Sequence, residues 1–212
     1  MKTAIYKIGF WSGIAAFTAN ALFVIVQVMQ LLGALTYPYD EIFIYGFSLC
    51  IVVPFLVEML ALHYVVQREK RFWSHAALIF TMMYAVFVTA NYVVQLATVI
   101  PATLRGEADD IQLLVQTPHS LFWDFDAIGY ICMGLASVFV LPIFKKHGFD
   151  RWVRIAFLTN ALVTPLIVFV YFYPEFSERI LLLAIPWIIT APLMMLFLAL
   201  WFNRTKNKLG KR

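Results

Sequence analysis

The sequence predicts an all-α, polytopic membrane protein: a bundle of six transmembrane helices with both termini in the cytoplasm. Three observations carry this reading. Hydrophobic residues make up 63% of the 212-residue chain, against about 45–50% in a soluble protein. Six apolar stretches are long enough to cross a bilayer core, which takes about 20 helical residues. The Lys and Arg residues gather in alternate connections between those stretches. Charged residues fall to 13% and mean hydropathy is +0.83, so the chain cannot cover itself with polar surface in water. A soluble enzyme, a nucleic-acid reader and a disordered tail are thereby excluded.

The spans run over residues 8–35, 42–67, 76–100, 118–144, 152–173 and 180–202 of a single domain, 1–203, followed by a basic tail, 204–212. Helix is the assignment because isolated strands would leave backbone groups unpaired in lipid, and runs such as 79–88 lack the alternation of a barrel strand. The first span follows Lys2 and Lys7 as a signal peptide would. It greatly exceeds the roughly 7–15 residues of a signal core and reads as a retained helix.

Loop charges orient the bundle. Fourteen of the 16 Lys and Arg residues lie in the N-terminus, the second-to-third and fourth-to-fifth connections, and the tail. Arg105 and Arg179 alone face the other way, among seven acids. The positive-inside rule places both termini in the cytoplasm of a multi-pass cell-membrane protein. The net charge of +4 and the isoelectric point near 9.1 therefore report membrane orientation, and nucleic acid drops out as a partner.

Within the first span Gly9, Gly13, Ala16, Asn20 and Gln27 share a face; Gly9-x-x-x-Gly13 lets a neighbouring helix approach closely. The third span carries Tyr84, Val88, Asn91, Gln95 and Thr98 on one face. Residues 101–117 form the longest connection, outside the membrane. Glu107, Asp109 and Asp110 ahead of Ile111, Leu114 and Val115 predict a short amphipathic helix there. Thr117 is expected to cap the fourth span, with Pro118 at its first position. Pro186 and Pro192 predict a kink in the sixth.

Acids within the spans are where chemistry would show. Asp126 shares a small, polar face with Gly129, Tyr130 and Ser137 and is expected to point inward, whereas Asp124 points toward the surface. Glu58 lies in the cytoplasmic half, with Asn20 and Asn160 at a suitable depth to pair with it. The expected ligand-binding residues are Gln27, Glu58, Asn91, Gln95, Asp126 and Tyr130. They would line an inward cavity that binds or transports a small organic or amphipathic molecule, and a carboxylate among aromatic faces suits a cation.

Two alternatives stand beside this: a lipid-acting enzyme using His119, Asp124 and Asp126, and a non-catalytic subunit or sensor. His119 and Asp124 have the HxxxxD spacing of glycerolipid acyltransferases. Six spans leave no chain for that family's α/β catalytic domain, so the spacing counts as coincidence. Catalytic residues are not assigned. No cofactor or metal is expected: the four His are scattered, and Cys50 and Cys132 read as small core residues. Membrane lipids are expected partners, and the small-residue faces permit a homo-oligomer.

Overall fold

Backbone groups in hydrocarbon must satisfy one another, and this chain does so with helices. The computed structural model describes residues 2–209. It is 84% helical, with no strand among the described residues. The long helices are α1 (Lys2–Leu31), α2 (Tyr39–Val65), α3 (Arg71–Val94, prolonged by a π turn at Gln95–Val99 into Ile100–Leu104), α4 (Leu121–Val140), α5 (Gly148–Phe172) and α6 (Trp187–Leu209). Six helices are long and apolar enough to cross a membrane. The chain is a multi-pass helical membrane protein.

Chain order is also spatial order. Each helix packs on its neighbours in sequence, and α6 returns to pack on α1, so the six form a closed ring. Alternating crossings put both termini at one end, called here the terminal end, with the α2–α3 and α4–α5 connections. The far end carries the other three connections. Large apolar side chains such as Ile25, Val53, Val86 and Leu162 stay exposed around the outside, where lipid would meet them. The polar residues Asn20, Glu58, Asn91, Gln95, Asp126, Ser137 and Asn160 are buried inside.

The glycine pair in α1 does what its spacing implies. A Cβ on Gly9 would come within 2.7 Å of the Phe202 ring. One on Gly13 would stand 2.1 Å from Glu58 Oε1 and 2.7 Å from Ala199 Cβ. Only glycine lets α1, α2 and α6 meet this closely. At the terminal end Pro142 stops α4, leaving carbonyls that need partners. Lys70 Nζ donates to the Ile143 carbonyl and an Arg154 guanidinium N–H to that of Leu141. Both cations thereby complement a helix C-terminus.

Several local expectations are corrected. The fourth helix starts at Leu121, not Pro118, because Ser120 supplies the cap: its hydroxyl accepts from Trp123 N at 3.3 Å and from Thr117 N at 3.2 Å. His119 just before it is left-handed, with φ 65°, which breaks any helix running through 118–120. The connection 101–117 holds no amphipathic α-helix; α3 runs on to Leu104, and Ala108–Leu114 is a 3-10 helix. The sixth span is broken, not bent: Glu178–Leu181 is α-helical, Leu182–Ala184 is 3-10, and α6 begins after Pro186. Cys50 is exposed and only Cys132 is buried; both are free.

The third-span stripe holds for Tyr84, Val88, Asn91 and Gln95, which are all buried, and fails at Thr98, which is exposed. The π turn is the cause. Ile100 N donates to Gln95 O, five residues back, ahead of Pro101, which has no N–H to offer Ala97. The extra residue advances the register by one, so Val99 takes the buried position. Such π turns are frequent at functional sites.

Candidate functional site

Asp126 occupies the first turns of α4, and its small-residue face turns it toward the ring axis, where it is 4% exposed. Tyr92 of α3 donates its hydroxyl to Oδ1 at 2.7 Å, and Tyr171 of α5 donates to Oδ2 at 2.5 Å. Each carboxylate oxygen thus receives one phenol from a different helix. Aromatic rings close the surroundings. Tyr45 of α2 lies 5.3 Å from the Tyr92 ring, and Trp123 lies 4.5 Å from that of Tyr171. Tyr130 stands edge-on to Trp187 of α6 at 4.9 Å, and Trp187 in turn meets Phe23 of α1 at 5.9 Å. All six helices contribute to this layer.

The far-end connection folds over it. Gln95 holds the connection twice: Nε2 donates to Leu114 O at 2.8 Å, and Oε1 accepts from Gln116 N at 3.1 Å. Asn91 Nδ2 donates to Gln116 Oε1 at 3.1 Å. The side chains of Asn91 and Gln116 also face the Asp126 carboxyl. Asn91 Oδ1 and Trp123 Nε1 are buried without a hydrogen-bond partner among the described residues, leaving one acceptor and one donor unused in this layer. On the exposed part of the connection Arg105 Nη2 pairs with Glu107 Oε2 at 2.7 Å. The hydrogen bond from Arg105 holds the Glu107 carboxyl below its ordinary range.

Of the six residues expected to bind ligand, Asn91, Gln95, Asp126 and Tyr130 gather here. Glu58 and Gln27 do not join them. Glu58 sits in α2 against Gly13, fully buried, with neither oxygen hydrogen-bonded among the described residues. The expected pairing with Asn20 or Asn160 does not form. Asn20 Nδ2 reaches Met195 Sδ at 3.9 Å. Asn160 donates to Ser137 Oγ at 2.9 Å and accepts from Thr190 Oγ1 at 3.3 Å, joining α4, α5 and α6. Both amides are engaged by nearer neighbours. Gln27 is only half-buried and donates to Gln30 at 3.3 Å, while Gln30 donates to Asp40 Oδ2 at 2.8 Å; this chain ties α1 to the start of α2.

His119 and Asp124 are both exposed and share no hydrogen bond, so the residues of the enzyme alternative are not assembled. Among the described residues no group of three His, Cys, Asp or Glu side chains could hold a metal ion. Sequence reasoning missed Tyr45, Tyr92, Trp123, Tyr171 and Gln116. Aromatics near span ends read as an interfacial belt, and a loop glutamine carries no signal until the loop is folded. The available clue was that tyrosines cluster at the same ends of spans two, three and five.

Fold and site together define a six-helix, multi-pass membrane protein with a carboxylate sealed in an aromatic layer of its far half. No family of known proteins, no curated protein and no solved structure matches the chain.

Proposed function

We propose that this protein binds a small organic cation at Asp126 and carries it across the cell membrane. The observation that carries the reading is the single carboxylate enclosed by Tyr92, Tyr171, Tyr130 and their aromatic neighbours on the ring axis. A carboxylate supplies the counter-charge, and ring faces attract an alkylated ammonium that water solvates poorly. The unpartnered Trp123 N–H and Asn91 carbonyl add a donor and an acceptor for a polar substituent. Such spare groups suit a ligand that is organic, since a bare metal ion would use neither the ring faces nor the indole N–H.

The connection pinned by Gln95 and Gln116 closes the far-end approach. Release of its three hydrogen bonds would open the layer without rearranging a helix, and the π turn at Gln95–Val99 provides local give in α3. The charge asymmetry of the connections supports a cytoplasmic terminal end, so the far end would take its cation from outside the cell.

Purified protein in vesicles tests the reading with a series of organic cations, from tetramethylammonium to benzyltrimethylammonium, followed by binding and by counterflow. The expected result is saturable binding that favours the aromatic cation, is lost in Asp126→Asn and is retained in Asp124→Asn. Absence of saturable binding across the series would overturn it.

A further inference from the structure

A concavity lies at the terminal end of the molecule, away from both Asp126 and Glu58. It is a groove of about 580 Å³ between the start of α5 and the end of α6, lined among others by Lys145, Phe149, Asp150, Trp201, Arg204 and Lys208. Its floor is held in place. Asp150 Oδ1 accepts from Trp201 Nε1 at 2.9 Å, and Oδ2 accepts from the Lys145 backbone N–H at 3.3 Å. The one acid of the groove is thus turned into its walls. The Arg204 guanidinium lies 4.0 Å from the Phe149 ring centroid, which fixes its direction and leaves its N–H groups without a partner among the described residues. Lys145, Arg204 and Lys208 are exposed, and none takes part in an ion pair among the described residues.

Three cations with no ion pair among the described residues, around one engaged carboxylate, make a site for an anion. The walls say what kind. Phe149 packs on Phe197 at 6.1 Å, and Phe197 stacks on Trp152 at 6.4 Å. Trp152 is 53% exposed on the outer surface. An aromatic path therefore leads from the cations to the lipid-facing side of the bundle, the course an acyl chain would follow. A soluble anion has no use for that path. The groove also opens at the end where basic residues dominate, at the level where phosphate headgroups lie.

We propose that this groove seats the phosphate headgroup of an anionic membrane lipid, with Lys145, Arg204 and Lys208 around the phosphate and the acyl chains descending past Trp152. The binding is independent of any ligand at Asp126. Each basic residue near an anionic headgroup contributes enough that removing two lowers the preference roughly thirtyfold at low salt.

The test uses the full chain, purified in detergent and mixed with equimolar phosphatidylglycerol and phosphatidylcholine, with retained lipids counted by native mass spectrometry. The wild type is expected to keep phosphatidylglycerol selectively, less so as salt rises. K145Q/K208Q, which leaves the Arg204–Phe149 stack intact, and R204Q/K208Q lose the preference. K146Q/R151Q removes the same charge outside the groove and keeps it. Equal retention of the two lipids by the wild type, or equal loss in the control variant, would overturn the assignment. Inorganic phosphate gives the remaining arm: millimolar phosphate that displaces phosphatidylglycerol at constant ionic strength would replace the lipid by a soluble phosphate, and failure to displace it supports the lipid.

Discussion

Three carboxylates are buried among the described residues, Asp40, Glu58 and Asp126, and the last two are treated in opposite ways. In the far half Asp126 receives a phenol on each oxygen and is ringed by amides and aromatic faces. In the terminal half Glu58 receives nothing among the described residues, and its Oε1 lies against Gly13. Both groups are inaccessible, so burial alone does not distinguish them. What does is donors. Asp126 is surrounded by groups that donate hydrogen bonds to it, and those groups converge from two helices and the far-end connection. Such convergence orders several side chains at once, a cost in chain entropy that the hydrogen bonds to the carboxyl group offset. Glu58 instead lies against Gly13, where the missing side chain lets α1 and α2 touch. The far half is organised around a hydrogen-bonded carboxyl group and the terminal half around a close helix contact.

The sharpest way to break that comparison is to remove each acid and compare signs. Asp126→Ala strips the acceptor from two buried phenols and leaves a cavity, and should destabilise by about 3–5 kcal/mol. Glu58→Met keeps volume and removes two polar atoms that have no partners; it should stabilise by about 1–3 kcal/mol. Unfolding in mixed micelles by sodium dodecyl sulfate measures both. If Glu58→Met were as damaging as Asp126→Ala, the terminal-half acid would have donors after all, and the distinction would fail.

The next effect concerns the packing around Glu58. Gly13→Ala places a methyl group 2.1 Å from Glu58 Oε1 and 2.7 Å from Ala199 Cβ, and overpacking of this kind costs about 1–3 kcal/mol. Glu58→Ala in the same chain removes one of the two clashes. The double variant should therefore lose less than the sum of the single losses, a coupling that a double-mutant cycle reads directly. Strict additivity would mean that α1 and α2 move apart at this point and that Glu58 does not set their spacing.

The fold was legible because hydrocarbon permits few solutions. Once six apolar runs are present, helices follow from backbone satisfaction. Gly9 and Gly13 announced the α1 contacts by spacing alone, and Asp126 was separated from Asp124 by the 100° step per residue. Residues whose role depends on more distant partners stayed hidden. Tyr171 and Tyr92 meet only because the ring brings α5 and α3 to the same carboxylate. Gln116 acquires a role only after Ser120 caps α4 and turns the connection back over Gln95. Depth along a span correctly put Asn20, Glu58 and Asn160 in the interior but could not assign partners. Ser137 and Thr190 claimed Asn160, and nothing claimed Glu58. Thr98 was misplaced by one π turn, which periodicity at 3.6 residues cannot register.

The smallest effects separate two ways of holding the far-end connection. Gln95→Ala removes both hydrogen bonds to residues 114 and 116, a loss of about 1–2 kcal/mol, and should raise hydrogen exchange across 105–120 while α4 stays protected. The Arg105–Glu107 pair invites the opposite expectation, since it is the one ion pair among the described residues. It lies within the connection, two residues apart, and is fully solvated, so water and salt screen it. Its carboxyl is depressed in the folded protein. Whatever it contributes is therefore present above the ordinary value of 4.5 and fades as pH falls through the lower folded value. Because the pair joins the connection only to itself, that fading should not release it from α3. Glu107→Gln is expected to leave exchange over 105–120 unchanged at neutral pH, and the wild type to show no opening between pH 6 and about pH 4. Exchange that rose in Glu107→Gln as far as in Gln95→Ala would move the fastening from the buried amides to the surface pair.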